Sequence, residues 1–149
     1  MSALATHEDA NLILKLYDLR REPVMREARK FIAGLNITSA EQIVALYSDF
    51  STQQNAYLRQ ATTFWEMAAS LVLHGALHEG LFLDNAGELF FIYAKFHPYI
   101  PEIREKLKAP AFLANSEKLI HRSADAQERL RSMLERQKLM SQRRAEVQK

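Results

Sequence analysis

The chain has 149 residues, 48% hydrophobic and 26% charged, with a formal net charge of +2, enough for one domain with a real core. It contains no cysteine and only four glycines and four prolines. That composition excludes disulfides, thiolate zinc sites, iron–sulfur clusters and a cysteine nucleophile, and it favours helices over sheet.

Thr6 followed by Asp9 reads as a helix start, with Leu12, Ile13, Leu16 and Tyr17 at helical spacing behind it. The stretch gives acidic residues early and only a short, interrupted apolar run, so no signal peptide is expected. Pro23 suits the first turn of a second helix, whose stripe is Val24, Met25, Ala28, Phe31, Ile32 and Leu35, with Gly34 at its end. Thr38 with Glu41, or Ser39 with Gln42, makes a capping box for a short third helix. A fourth helix is expected from about Ser51 to His74, closed by Gly75, with Leu77 placed for the contact that follows such a turn. The next segment runs from Glu79 to Phe96 with a break at Gly87, and Pro98, Pro101 and Pro110 punctuate the chain after it. "LFFIYAKF" would suit a buried strand by composition, but its helical flanks argue for helix. From Ala111 to Val147 there is no Pro or Gly, which predicts one continuous helix of about 50 Å.

The expected fold is therefore all-α: an irregular antiparallel bundle of five to seven helices within a single domain. Residues 1–110 form its body. Residues 111–149 form a long basic amphipathic helix that packs on the body or on a second subunit. No segment supplies the roughly 18 uninterrupted apolar residues of a membrane span, and a cytoplasmic protein is expected.

The stretch "TTFWEMAASLVLHGALHEG" carries the candidate chemistry. Glu66, Ser70 and His74 are spaced by four, so neighbours meet on one helical face. A serine triad needs histidine between serine and acid. Here serine is in the middle, and Glu66 and His74 stand about 12 Å apart along the axis. His74 and His78 have the spacing of two zinc ligands, but Gly75 occupies the place of a metallopeptidase glutamate and ends the helix between them. His97, Asp84 and Glu79 are further donors that nothing in the sequence draws together. No metal, cofactor or catalytic residue is expected. Glu66, between Trp65 and Met67 on a largely buried helix, needs a partner, and Arg20, Arg21, Arg26, Arg29 and Lys30 are the candidates.

The tail repeats every seven residues at Leu119, Ala126, Met133, Met140 and Val147, a broken coiled-coil seam strongest around Leu130 to Leu134. Arg122, Arg129, Arg136 and Arg143 form a basic row beside it. The leading expectation is a non-catalytic interaction or regulatory module acting as a homo-oligomer, first of all a dimer, with Leu130, Met133, Leu134 and Met140 at the contact. The alternative is an anion- or nucleic-acid-backbone-binding protein that uses the arginine row. An enzyme or metal site around Glu66 and His74 ranks third. The tail has no aromatic residue after Phe112, so it lacks stacking platforms for bases.

"REPVMREARKFI", "FWEMAA", Gly75, Gly87 and "HPYI" together resemble a widespread bacterial family of small helical domains of unknown function, over roughly residues 10–108. The resemblance implies a helical fold, a recurring acid at Glu66 and an aspartate commonly in the place of His78. It also implies an N-terminal membrane helix in many members, and no segment of this sequence supplies one.

Overall fold

A computed structural model describes residues 3–149, and among them the chain is helical throughout, without a strand. Nine α-helices and one 3-10 turn follow in order: α1 (His7–Leu19), α2 (Pro23–Gly34), α3 (Ala40–Ser48), α4 (Gln53–Leu73), α5 (Glu79–Asp84), α6 (Gly87–Phe96), the turn (His97–Tyr99), α7 (Ile100–Leu107), α8 (Ala114–His121) and α9 (Ala124–Val147). The all-α bundle with a long last helix is the fold expected. It is cut into more pieces than five to seven because two expected segments divide.

The first helix starts follow the local chemistry. Thr6 accepts from the Asp9 amide while Asp9 reaches back to the Thr6 amide, a complete capping box. Pro23 opens α2. Ser39 caps α3 and Thr52 caps α4, each through its hydroxyl. Gly75 leaves α4 at φ +76°, with Ala76 N–H donating to Leu71 O at 2.8 Å and Gly75 N–H to Val72 O at 3.0 Å. Those two bonds close a Schellman turn, which a side chain at this φ would strain.

The Ala111–Val147 segment is not one helix. Arg122 and Ser123 interrupt it, and the Ser123 hydroxyl starts α9 by accepting from the Ala126 amide at 3.1 Å. The bend lets both pieces bury apolar residues in the same core: Leu119 and Ile120 from α8, Ala126 and Leu130 from α9.

α6 is the most deeply buried element, with Leu89, Phe90, Ile92, Tyr93, Ala94 and Phe96 all inside. A helix apolar on nearly every side must be surrounded. α9 packs along it, and α4 runs beside α2, α3 and α8. α4 also fastens the ends of its neighbours. Asn55, 2% exposed, donates to Leu46 O and Tyr47 O at the end of α3, and Arg59 adds a 2.6 Å bond to Tyr47 O. Cationic and amide donors at a helix C-terminus meet carbonyls with no intrahelical partner. No helix among the described residues is long and apolar enough to cross a membrane.

Candidate functional site

Glu66 projects from α4 onto the start of α8. Its Oε1 accepts from Ser116 N–H at 2.9 Å and from the Ser116 hydroxyl at 2.6 Å, and its Oε2 accepts from Asn115 N–H at 2.9 Å. The residue in the N-cap position of α8 is Leu113, at φ 54°, which has no side-chain acceptor. Glu66 therefore does the capping from another helix, where a carboxylate satisfies the free amides and opposes the positive end of the dipole. None of the five basic residues between Arg20 and Lys30 is among its hydrogen-bond partners.

Two of those arginines serve Glu88 instead. Arg29 Nε donates to Glu88 at 2.8 Å, Arg20 lies 3.4 Å away, and Trp65 Nε1 donates at 3.0 Å. The Arg20 guanidinium also stands 5.3 Å from the Trp65 ring centroid. Glu88 thus ties the end of α1, α2 and α4 to the first turn of α6.

A third carboxylate, Glu117, takes the Tyr93 hydroxyl at 3.0 Å and Arg104 at 3.3 Å. Burial alone would push its carboxyl up, but the Tyr93 hydroxyl and the Arg104 guanidinium outweigh it and hold Glu117 below the usual range. Tyr93 moves the other way: burial first, then the adjacent Glu117 carboxylate, raise its phenol well above the ordinary 10.0. A raised folded value means the neutral phenol stabilises the fold fully below pH 10.0, and that contribution is lost as pH climbs from there through the folded value. Wild-type stability is therefore expected to fall more steeply above pH 10.0 than that of Tyr93→Phe, which starts about 1 kcal/mol weaker at neutral pH. Urea midpoints measured across that range check this, and parallel curves for the two proteins would refute it.

His74 and His78 end on different elements. His74 is the exposed C-cap of α4. His78 caps α5, its Nδ1 accepting from Leu81 N–H at 3.1 Å and its Nε2 bonding to Ala3 O at 2.8 Å. Both ring nitrogens are thus occupied, and the Nε2–H tautomer satisfies both bonds. His78 N–H donates to Asp9 at 2.8 Å as well, so this residue fastens the start of the chain. No group of three metal-ligating side chains stands together among the described residues. Ser70 is not among the partners of Glu66.

The tail divides by depth. Leu130 is 7% exposed in its own chain's core, and Met133 and Leu134 pack against that core. Met140 is 49% exposed, as are Leu139 at 56% and Val147 at 86%. The basic row divides as well. Arg122 lies 3.9 Å from Glu79, and Arg129 donates to Leu83 O with its guanidinium 4.5 Å from the Phe90 centroid. Arg122, Arg136 and Arg143 are all exposed, and the last two have no carboxylate within ion-pair distance among the described residues.

A cleft of about 350 Å³ lies beside α9, between the α2–α3 connection, α6 and α9. Lys95 and Arg144 line it, and no carboxylate does. Burial, then the charge of Arg144, draws the Lys95 ammonium below its ordinary value. Sequence reading missed both residues. Arg144 is one position off the seven-residue arginine row, and Lys95 is the single cation of a helix that is apolar apart from it and Glu88.

A family model described as "Domain of unknown function (DUF4760)" matches residues 5–123. The chain belongs to that family. DUF4760 thus accounts for α1 to α8, and α9 begins at the residue after its match ends. The match extends the resemblance read from the motifs at both ends. No curated protein and no solved structure matches the chain.

Proposed function

We propose that this chain is a non-catalytic helical interaction module, acting in the cytoplasm as a homo-oligomer. The observation that carries the reading is the use of its interior carboxylates. Glu66, Glu88 and Glu117 each spend their oxygens on joining helices, through a helix start, two arginines with an indole, and a phenol with an arginine. Groups engaged in this way hold a scaffold; they are not poised to exchange protons with a substrate.

The contact proposed lies on the last three turns of α9, around Leu139, Met140 and Val147, whose apolar groups are left exposed. Two copies of such a helix cover one another in an isologous pair. Leu130, Met133 and Leu134, expected at the same contact, are supplied to the chain's own core and brace the base of the helix. Light scattering is expected to give a dimer for the full chain and a monomer for a chain cut after Lys138. That cut spares every core residue of α9. A monomeric full chain, or an unchanged mass after the cut, would overturn the self-association.

The nucleic-acid reading is weaker because Arg129 is turned to the body and Arg122 faces Glu79. The two arginines of the row left unengaged, Arg136 and Arg143, release few counterions.

A further inference from the structure

The cleft beside α9 has the makings of a ligand site. Its floor is α6, through Phe91 and Lys95. One wall is the α2–α3 connection, and the other is the face of α9 that carries Gln137, Met140, Ser141 and Arg144 at helical spacing. Gln137 donates to Phe91 O at 2.9 Å and sets the helix against that floor.

Two cations line this cleft and no carboxylate does, whereas several other cations of the fold are paired. Arg29 and Arg20 face Glu88, Arg104 faces Glu117, Lys106 faces Glu41 and Glu102, and Arg131 faces Glu128. Arg144 has no carboxylate within ion-pair distance among the described residues. Lys95 donates to the Leu35 carbonyl and stands 5.3 Å from the Phe91 centroid, again without a carboxylate. Two like charges thus face one concavity without a counter-charge, Lys95 half-buried and Arg144 exposed at the rim, an arrangement that a bound anion relieves. The rest of the lining is largely apolar, through Leu35, Ile37, Phe91 and Met140. A volume of about 350 Å³ is at the small end of ligand sites.

We propose that this cleft binds a small organic carboxylate with a short apolar body. The head group sits between the Lys95 ammonium and the Arg144 guanidinium, and the body lies on Phe91 and Met140. A purely inorganic anion would leave the apolar lining without a partner. A polyanion is held by an extended array of cations in place of two. The Arg144 wall belongs to α9, beyond the residues matched to the family, so the site is a property of this chain's C-terminal segment. The cleft shares Met140 with the self-association contact, but its test reads hexanoate binding and the other reads mass, so either can fail alone.

Titration calorimetry of the full chain at low ionic strength tests it, with hexanoate and benzoate as probes. Hexylamine, inorganic phosphate and poly-glutamate serve as comparisons. Saturable one-site binding of hexanoate is expected, with no binding of hexylamine and weaker binding of phosphate. Arg144→Gln is expected to weaken hexanoate about 10- to 100-fold, as the loss of a charge-assisted bond does. This position is exposed, so the fold is retained whatever Lys95→Met does to the Leu35 contact. Met140→Ala is expected to weaken hexanoate and leave phosphate unchanged. Absent hexanoate binding, binding equal in wild type and Arg144→Gln, phosphate as tight as hexanoate, or binding confined to poly-glutamate would each overturn the proposal.

Discussion

Replacing Glu88 with alanine is expected to lower stability by about 3 kcal/mol, the largest loss from any single polar change in the chain. The substitution strands two arginines whose side chains are 15% and 30% exposed, along with the Trp65 indole N–H. Removing one partner of a largely buried ion pair typically costs about 3–5 kcal/mol, and the lower end applies because both arginines keep some water. Arg20 has nothing to fall back on, since its Nε is already buried without a hydrogen-bond partner and Glu88 is its carboxylate. Glu88→Gln keeps an acceptor for the indole but loses the charge, so an intermediate loss is expected. The chain has a single tryptophan, and its fluorescence reports on this cluster alone. Urea unfolding followed by both fluorescence and circular dichroism measures the effect; a loss below about 1 kcal/mol would show that the arginines find water without cost.

Glu66→Ala is expected to cost about 2–3 kcal/mol, since the amides of Asn115 and Ser116 lose a charged acceptor at a helix start that has no other cap. Glu66→Gln should cost roughly half as much, because its carbonyl oxygen serves one amide while its NH₂ is turned toward the other. The loss should be local in its first signs. Hydrogen exchange at Asn115, Ser116 and Glu117 is expected to quicken before that of α6, because an eight-residue helix stands only on its contacts. Uniform exchange across the chain would place the role of Glu66 elsewhere.

What the sequence disclosed follows from how local each signal is. Thr6, Pro23 and Ser39 announce helix starts because a cap is a matter of three or four consecutive residues. Gly75 is equally legible, since few other residues take its φ comfortably. The start of α8 has no such mark. Its cap comes from Glu66, 50 residues earlier at Ser116, and the residue in its cap position is a leucine. A helix start made by another helix is invisible to any reading along the chain. For the same reason two of the arginines expected at Glu66, Arg20 and Arg29, belong to Glu88, a residue that no local motif marks. The break at Ser123 lacked Pro and Gly, and is dictated by the need of α8 and α9 to reach one core from two directions. Lys95 and Arg144, 49 residues apart, share a cleft only because α9 folds back over α6.

The long separation between Glu66 and the amides it holds has a consequence for how the protein is made. Synthesis is vectorial: α4 leaves the ribosome well before Ser116 does. The end of α3, fastened by Asn55 from only nine residues away at Leu46, can be secured while translation continues. The face of α4 reserved for α8 cannot, and until the final third of the chain emerges it presents apolar residues and the Glu66 carboxylate to whatever is nearby. A ribosome that pauses in that interval holds a polypeptide with an uncovered flank, suited to a holding chaperone, and release of the last segment shuts it.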